Sequence, residues 1–249
     1  MSEDGGMRHT EIEERLTQVR ERIAGACAQA GRDPEEITLV VVTKFFPASD
    51  VEHLLDLGVR HIGENKDQEA GAKMAELDPA VRERLTVHFV GQLQSNKAGR
   101  VARYADMVQS VDRTKIVRAL DRGRGAALEQ SDASAPLEVL VQVDLGEGEQ
   151  AGRGGALPDQ VPALADAVAD TEHLRLRGLM AVAPLGLDED GTRAAFDRLA
   201  DLGARVRDAH LGADLLSAGM SADLELGIAS GATHLRVGSA ILGSRQPDR

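Results

Sequence analysis

The feature that most constrains this chain is an eightfold alternation of an apolar run rich in Val, Ile or Leu, a turn, and a segment of helical period. The runs cover residues 38–43, 59–63, 86–91, 106–111, 137–145, 174–182, 213–218 and 233–238. Stretches such as Leu39-Val40-Val41-Val42 and Val139-Leu140-Val141 are apolar without alternation, as strands of a parallel sheet covered on both faces require. Helical period appears between them at 50–57, 113–122, 157–169 and 192–209. The first of these follows a Ser49-x-x-Glu52 capping box and stops at Gly58. Eight such units in 249 residues fit an α/β fold built as a single TIM-type (β/α)8 barrel better than a doubly wound sheet.

An extra helix leads the barrel. A Thr10-x-x-Glu13 capping box opens it, and Ile12, Leu16, Val19, Ile23 and Cys27 share one face until Gly31. Residues 1–9 are expected to be a flexible tail, residues 129–136 a polar surface loop, and residues 1–249 one domain. Cys27, the only cysteine, reads as core and excludes an internal disulfide or a multi-cysteine metal site.

Composition narrows the function classes. Forty-one acidic against 29 basic residues give a net charge of -12, a field that repels nucleic acid and anionic membrane surfaces. Aromatics are 2%, too few for base-stacking platforms. With no apolar run of about 18 residues and an acidic, polar amino terminus, a cytoplasmic and monomeric protein is expected. No Walker motif and no Gly-x-Ser-x-Gly elbow occurs. Gly146-Glu147-Gly148-x-x-Ala151 loosely matches a dinucleotide fingerprint, but Gly152-Arg153-Gly154-Gly155 stands where its helix would begin.

In such a barrel the chemistry sits at the carboxyl ends of the strands. The first strand ends in Thr43-Lys44, followed by Phe45-Phe46-Pro47. A lysine there loses solvation, which favours the neutral amine that attacks carbonyls as a Schiff-base nucleophile; alternatively its ammonium snorkels to water. Only five of the 29 basic residues are lysines, so a lysine facing the barrel mouth leans towards amine chemistry. The last two strands end in Leu216-Ser217-Ala218-Gly219-Met220-Ser221 and Leu235-Arg236-Val237-Gly238-Ser239-Ala240. Hydroxyls and glycines at those ends suit a phosphate, although small residues also permit tight turns. Arg236, on the same face as Gly238, needs an inward acceptor.

Val42-Thr43-Lys44, Gly63-Glu64-Asn65, His88-Phe89-Val90-Gly91-x-Leu93-Gln94-Ser95-Asn96-Lys97, Arg177-Gly178-Leu179-Met180, Ser217-x-Gly219-Met220-Ser221 and Arg236-Val237-Gly238-Ser239-Ala240-Ile241-Leu242-Gly243 occur in this order along the chain. Together they resemble the pyridoxal phosphate homeostasis protein (YggS/PROSC) family. It implies a barrel like the N-terminal domain of alanine racemase and a protein that stores, buffers or delivers pyridoxal 5'-phosphate (PLP), with PLP-dependent apoenzymes as acceptors. It also implies a Schiff base on Lys44, Arg236 at the pyridine nitrogen, Ser217, Gly238 and Ser239 at the phosphate, and Asn65 and His88 lining the site. Many members carry Ser before the lysine and Tyr after Gly-Glu-Asn, where this chain has Thr43 and Lys66. The competing reading is a PLP-dependent amino-acid racemase, which needs an acid/base group on each face of the cofactor. The only tyrosine, Tyr104, precedes the fourth strand and is expected away from the mouth.

Overall fold

The computed structural model describes residues 3–146 and 154–244. Eight parallel strands close into a barrel in chain order: β1 (Thr38–Val42), β2 (His61–Glu64), β3 (Thr86–Phe89), β4 (Met107–Val111), β5 (Leu137–Val143), β6 (Leu174–Ala181), β7 (Leu215–Ser217) and β8 (His234–Val237). Closure is made by β8 against β1, from Thr38 beside His234 to Val41 beside Val237. All eight expected runs contain a strand. β2 starts at His61 rather than residue 59 and takes in Glu64.

Ten helices surround the barrel among the described residues: α1 (Glu3–Ala30), α2 (Ala48–Asp56), α3 (Asp67–Glu76), α4 (Pro79–Arg82), α5 (Ala98–Tyr104), α6 (Thr114–Glu129), α7 (Val161–Ala169), α8 (Glu189–Ala209), α9 (Leu224–Ala229) and α10 (Ser239–Leu242). The helix after β8, α10, has four residues, too few to cover its sector of the barrel. α1, with 28 residues, does so by packing on α2, α9 and α10. Its face of Ile12, Leu16, Val19, Ile23 and Cys27 is buried, and each large apolar side chain contributes about 1.5 to 3 kcal/mol.

Two expectations at helix starts are corrected. α1 begins at Glu3, so residues from 3 onward are not a tail; the Thr10 hydroxyl donates to the Gly6 carbonyl one turn back instead of capping. Arg8 fastens this extension by donating to both carboxylate oxygens of Asp50, at 2.7 and 3.2 Å, and to the Leu242 carbonyl at 3.0 Å. The Ser49 box likewise falls inside α2, which starts at Ala48 with Pro47 as its N-cap. Most of the weak dinucleotide match, residues 147–153, lies outside the described residues.

The strands are buried on both faces. Outward side chains join the helices in one large apolar cluster, while Met107, Leu140 and Met180 form a separate small cluster within the barrel. Much of the remaining interior is polar, and that polarity builds the candidate site.

Candidate cofactor site at the barrel mouth

Lys44 stands half-buried just beyond β1, on a turn clamped from both sides. Before it, the Thr43 carbonyl accepts from Lys73 Nζ at 2.7 Å, and the Thr43 hydroxyl donates to Glu64 Oε1 at 2.6 Å. Lys73 also donates to that carboxylate oxygen at 2.6 Å. After it, the Phe45 N–H donates to the carboxylate of Glu69. Phe45 has φ 69°, a left-handed conformation that costs a non-glycine residue on the order of 1 kcal/mol or more. The clamp from α3 holds that strained turn and so the direction in which Lys44 leaves the strand. Burial pushes the Glu64 carboxyl up, against the pull of Lys73. The ammonium groups of Lys44 and Lys66 both lie over the Phe45 ring, at 5.8 and 4.4 Å from its centroid.

Inside the barrel a chain of hydrogen bonds runs from β8 to β2. Arg236 Nη1 donates to Ser217 Oγ at 2.6 Å, and Ser217 donates to Gln109 Oε1 at 2.7 Å. Gln109 Nε2 meets His88 Nδ1 at 2.9 Å, and His88 Nε2 meets His61 Nδ1 at 3.0 Å. An amide nitrogen can only donate, so His88 accepts at Nδ1 and gives its own proton to His61. Arg236 Nη2 donates to the Ala181 carbonyl at 2.8 Å. Among the described residues Arg236 forms no ion pair, although it is 4% exposed. Burial draws it down to about 10, which still leaves it charged at neutral pH.

His234 completes a cluster with His61 and His88, their ring centroids 5.2 to 6.5 Å apart. Burial is the first cause of a lowered affinity for protons in all three, strongest for the fully buried His88, and it holds His234 at about 4. The cluster is therefore neutral at pH 7.

The geometry sorts the expected site residues. Lys44, Asn65, Gly238 and Ser239 come to the mouth. A Cβ on Gly238 would press on Val42 at 3.2 to 3.3 Å, which sets that rim beside the strand that delivers Lys44. Gly91 leaves β3 hard against the Asn65 backbone, where any side chain would collide, and Asn65 Oδ1 is buried with no partner. Ser217, expected at the phosphate, is wholly buried rather than at the rim, its hydroxyl engaged by Arg236 and Gln109. At the rim, Ser221 Oγ lies 3.5 Å from that of Ser239. His88 does not line the mouth either; it is fully buried with both ring nitrogens engaged. The overlooked residues were Ser221, Gln109, Lys73 and Glu69. Gln109, a polar residue inside the run Met107-Val108-Gln109-Ser110-Val111, was the readable signal among them. Tyr104 packs in the helical layer near Gly71 of α3, its hydroxyl buried without a partner.

The barrel and its rim define a class, the alanine racemase N-terminal domain, whose family model matches residues 15–246. The similarity extends along nearly whole chains: a pyridoxal phosphate homeostasis protein of Mycobacterium tuberculosis is 43% identical over 247 residues, covering 96% of this chain and 95% of that protein. One from Escherichia coli is 39% identical over 238 residues, covering 94% and 97%. The chain belongs to the pyridoxal phosphate homeostasis protein family. Among solved structures, PipY of Synechococcus elongatus with PLP bound superposes with a TM-score of 0.77 at 33% identity, covering 93% of this chain and all of that one. Alanine racemase of Corynebacterium glutamicum, at 15% identity and TM-score 0.65, shares the fold over 93% of this chain and 60% of its own. No helix among the described residues is long and apolar enough to cross a membrane.

The histidine cluster makes a prediction for acid stability. The folded protein binds protons on these rings less readily than the unfolded chain, so their contribution is complete above the ordinary value of 6.5 and is lost as pH falls towards about 4. Over that window His234 alone should remove on the order of 3 kcal/mol. Urea unfolding midpoints at pH 7, 6 and 5 should fall steadily, and less steeply in His234→Asn. Equal slopes in the two proteins would show that the cluster is not the cause.

Proposed function

We propose that this protein binds PLP as a Schiff base on Lys44 and holds or hands on the cofactor in the cytoplasm, with PLP-dependent apoenzymes as acceptors and without committed turnover. The observation that carries the reading is Arg236: a guanidinium buried in the barrel, anchored only to neutral oxygens, with its full charge left for a ligand. The unpartnered Asn65 Oδ1 and the small residues of the rim fit the same group. PLP brings an aldehyde that condenses with an amine, a pyridine nitrogen and a phosphate.

Lys44 is the amine that the clamped turn presents. Arg236 faces the pyridine nitrogen, where its charge disfavours a second proton and weakens the ring as an electron sink. Gly238, Ser239 and Ser221 receive the phosphate, and Asn65 holds the ring's edge. The names of the homeostasis-protein relatives and the PLP in PipY support this reading. A racemase would need a second acid or base opposite Lys44. Tyr104 sits in the helical layer instead, its proton held more tightly by burial.

The purified protein should absorb near 420 nm, roughly the region of a protonated Schiff base. Borohydride should then fix the label to the peptide carrying Lys44. A label on Lys66 or Lys97, or none, would refute the assignment.

Changing Ser221 and Ser239 to Ala should weaken PLP more than pyridoxal, since each hydrogen bond to a charged group contributes about 1.5 to 3 kcal/mol and pyridoxal has no phosphate. Equal losses for the two ligands would confine these hydroxyls to the turns.

Solvent deuterium incorporation at Cα of a panel of amino acids, read by NMR against Lys44→Ala as the blank, tests the absence of turnover. The expected rate is below about one per minute, against the usual enzymatic 1 to 1,000 per second. Exchange at enzymatic rates that vanishes in the blank would favour the racemase.

A further inference from the structure

We infer that Gln109 is the positioning residue for Arg236, fixing through Ser217 where the guanidinium points and through His88 which ring nitrogen carries the proton. The inference rests on Arg236 being the contact to the pyridine nitrogen, and it adds a residue on the far side of the barrel to that site.

Gln109 is wholly buried on β4, and both ends of its amide are used. Its oxygen accepts from Ser217 at 2.7 Å and its nitrogen donates to His88 at 2.9 Å. A serine hydroxyl has one proton, and giving it to Gln109 turns the oxygen's lone pairs towards Arg236 Nη1, 2.6 Å away. With the amide reversed, a donor would face Ser217, whose oxygen could accept from both Gln109 and Arg236 only by leaving its own proton without an acceptor in the buried interior. The order of atoms in this one side chain therefore decides whether Ser217 can hold Arg236 with every buried donor and acceptor paired. At the other end the same order requires an unprotonated Nδ1 on His88, so that Nε2–H is left for His61.

Few residues can replace it. Leucine has neither donor nor acceptor and would leave the Ser217 proton and His88 Nδ1 without partners in a dry interior. Glutamate offers two acceptors: it would keep Ser217 in place, demand a proton on His88 Nδ1, and set a carboxylate one hydroxyl away from a guanidinium that otherwise has none. Gln109→Leu thus loosens Arg236, whereas Gln109→Glu keeps it anchored and offsets its charge.

The test uses the full chain. In ligand-free protein labelled with 15N-histidine, His88 should show the Nε2–H tautomer, and Gln109→Glu should move the proton to Nδ1 or charge the ring. With 15N-labelled PLP, the pyridine nitrogen should read unprotonated in the natural protein and shift towards the protonated value in Gln109→Glu. Gln109→Leu and Ser217→Ala should each raise the PLP dissociation constant about tenfold, the loss of one hydrogen bond. Their double variant should lose no more than either alone, since both break one chain. Where Gln109→Leu does not fold, Ser217→Ala and Gln109→Glu carry the comparison. An unchanged dissociation constant and nitrogen signal, even with a lower melting temperature, would reduce Gln109 to a packing role and overturn the inference. So would the opposite His88 tautomer in the natural protein. Should the natural protein take up no PLP, the proposed function fails on its own, and the His88 tautomer still decides whether Gln109 directs the chain.

Discussion

A closed barrel excludes water from its axis, so any polar side chain that faces inward must find its partners there or cost about 1 to 3 kcal/mol. This chain places His61, His88, Gln109, Ser217, His234 and Arg236 inside. Among the described residues the charged one, Arg236, meets no carboxylate. Its stability depends on neutral acceptors lined up in the right order, and the histidines must stay neutral because a further positive charge beside it would have no counterion. The interior is thus arranged so that one cation is tolerated without being cancelled.

The outer side of the mouth follows a different logic. The Thr43–Phe45 turn is held by Glu64, Glu69 and Lys73, with Glu64 and Lys73 buried between β1, β2 and α3 and Glu69 partly exposed. Buried ion pairs rarely stabilise more than an apolar replacement would, because desolvation offsets the attraction. Their use here is geometric. Lys73 and Glu64 bind the backbone and hydroxyl of Thr43, Glu69 binds the backbone of Phe45, and the residue between them is Lys44. The energy stored in the left-handed Phe45 is held by bonds that also aim the amine.

The fold was readable because its signals are long and repeated: eight apolar runs cannot all be closed into anything much smaller than a barrel. Helix starts were less readable. A capping box is a local motif: at Thr10 the helix runs on towards the amino terminus, fastened by Arg8 to Asp50, and at Ser49 it already starts at Ala48 after Pro47. The site divided in the same way. Lys44, Asn65, Gly238 and Ser239 follow strands directly, so knowing where a strand ends placed them. Ser217 ends a strand too, but its place in the sequence does not reveal that Arg236 and Gln109 engage its hydroxyl. Lys73 and Glu69 lie on a helix whose contact with the β1 turn no spacing in the sequence reveals.

The two halves of the mouth are independent except through the barrel itself. The clamp around Lys44 uses β1, β2 and α3; the chain that holds Arg236 uses β2, β3, β4, β7 and β8, with the end of β6 supplying the Ala181 carbonyl. They meet at the β1–β8 seam, where Val40 pairs with Arg236 and fixes how far along the axis the guanidinium lies below the amine. A one-residue slip at that seam would turn Arg236 out of the barrel. Closure of the barrel is therefore what measures the gap between amine and guanidinium, and α1, by covering the seam that the short α10 leaves bare, helps hold that measure constant.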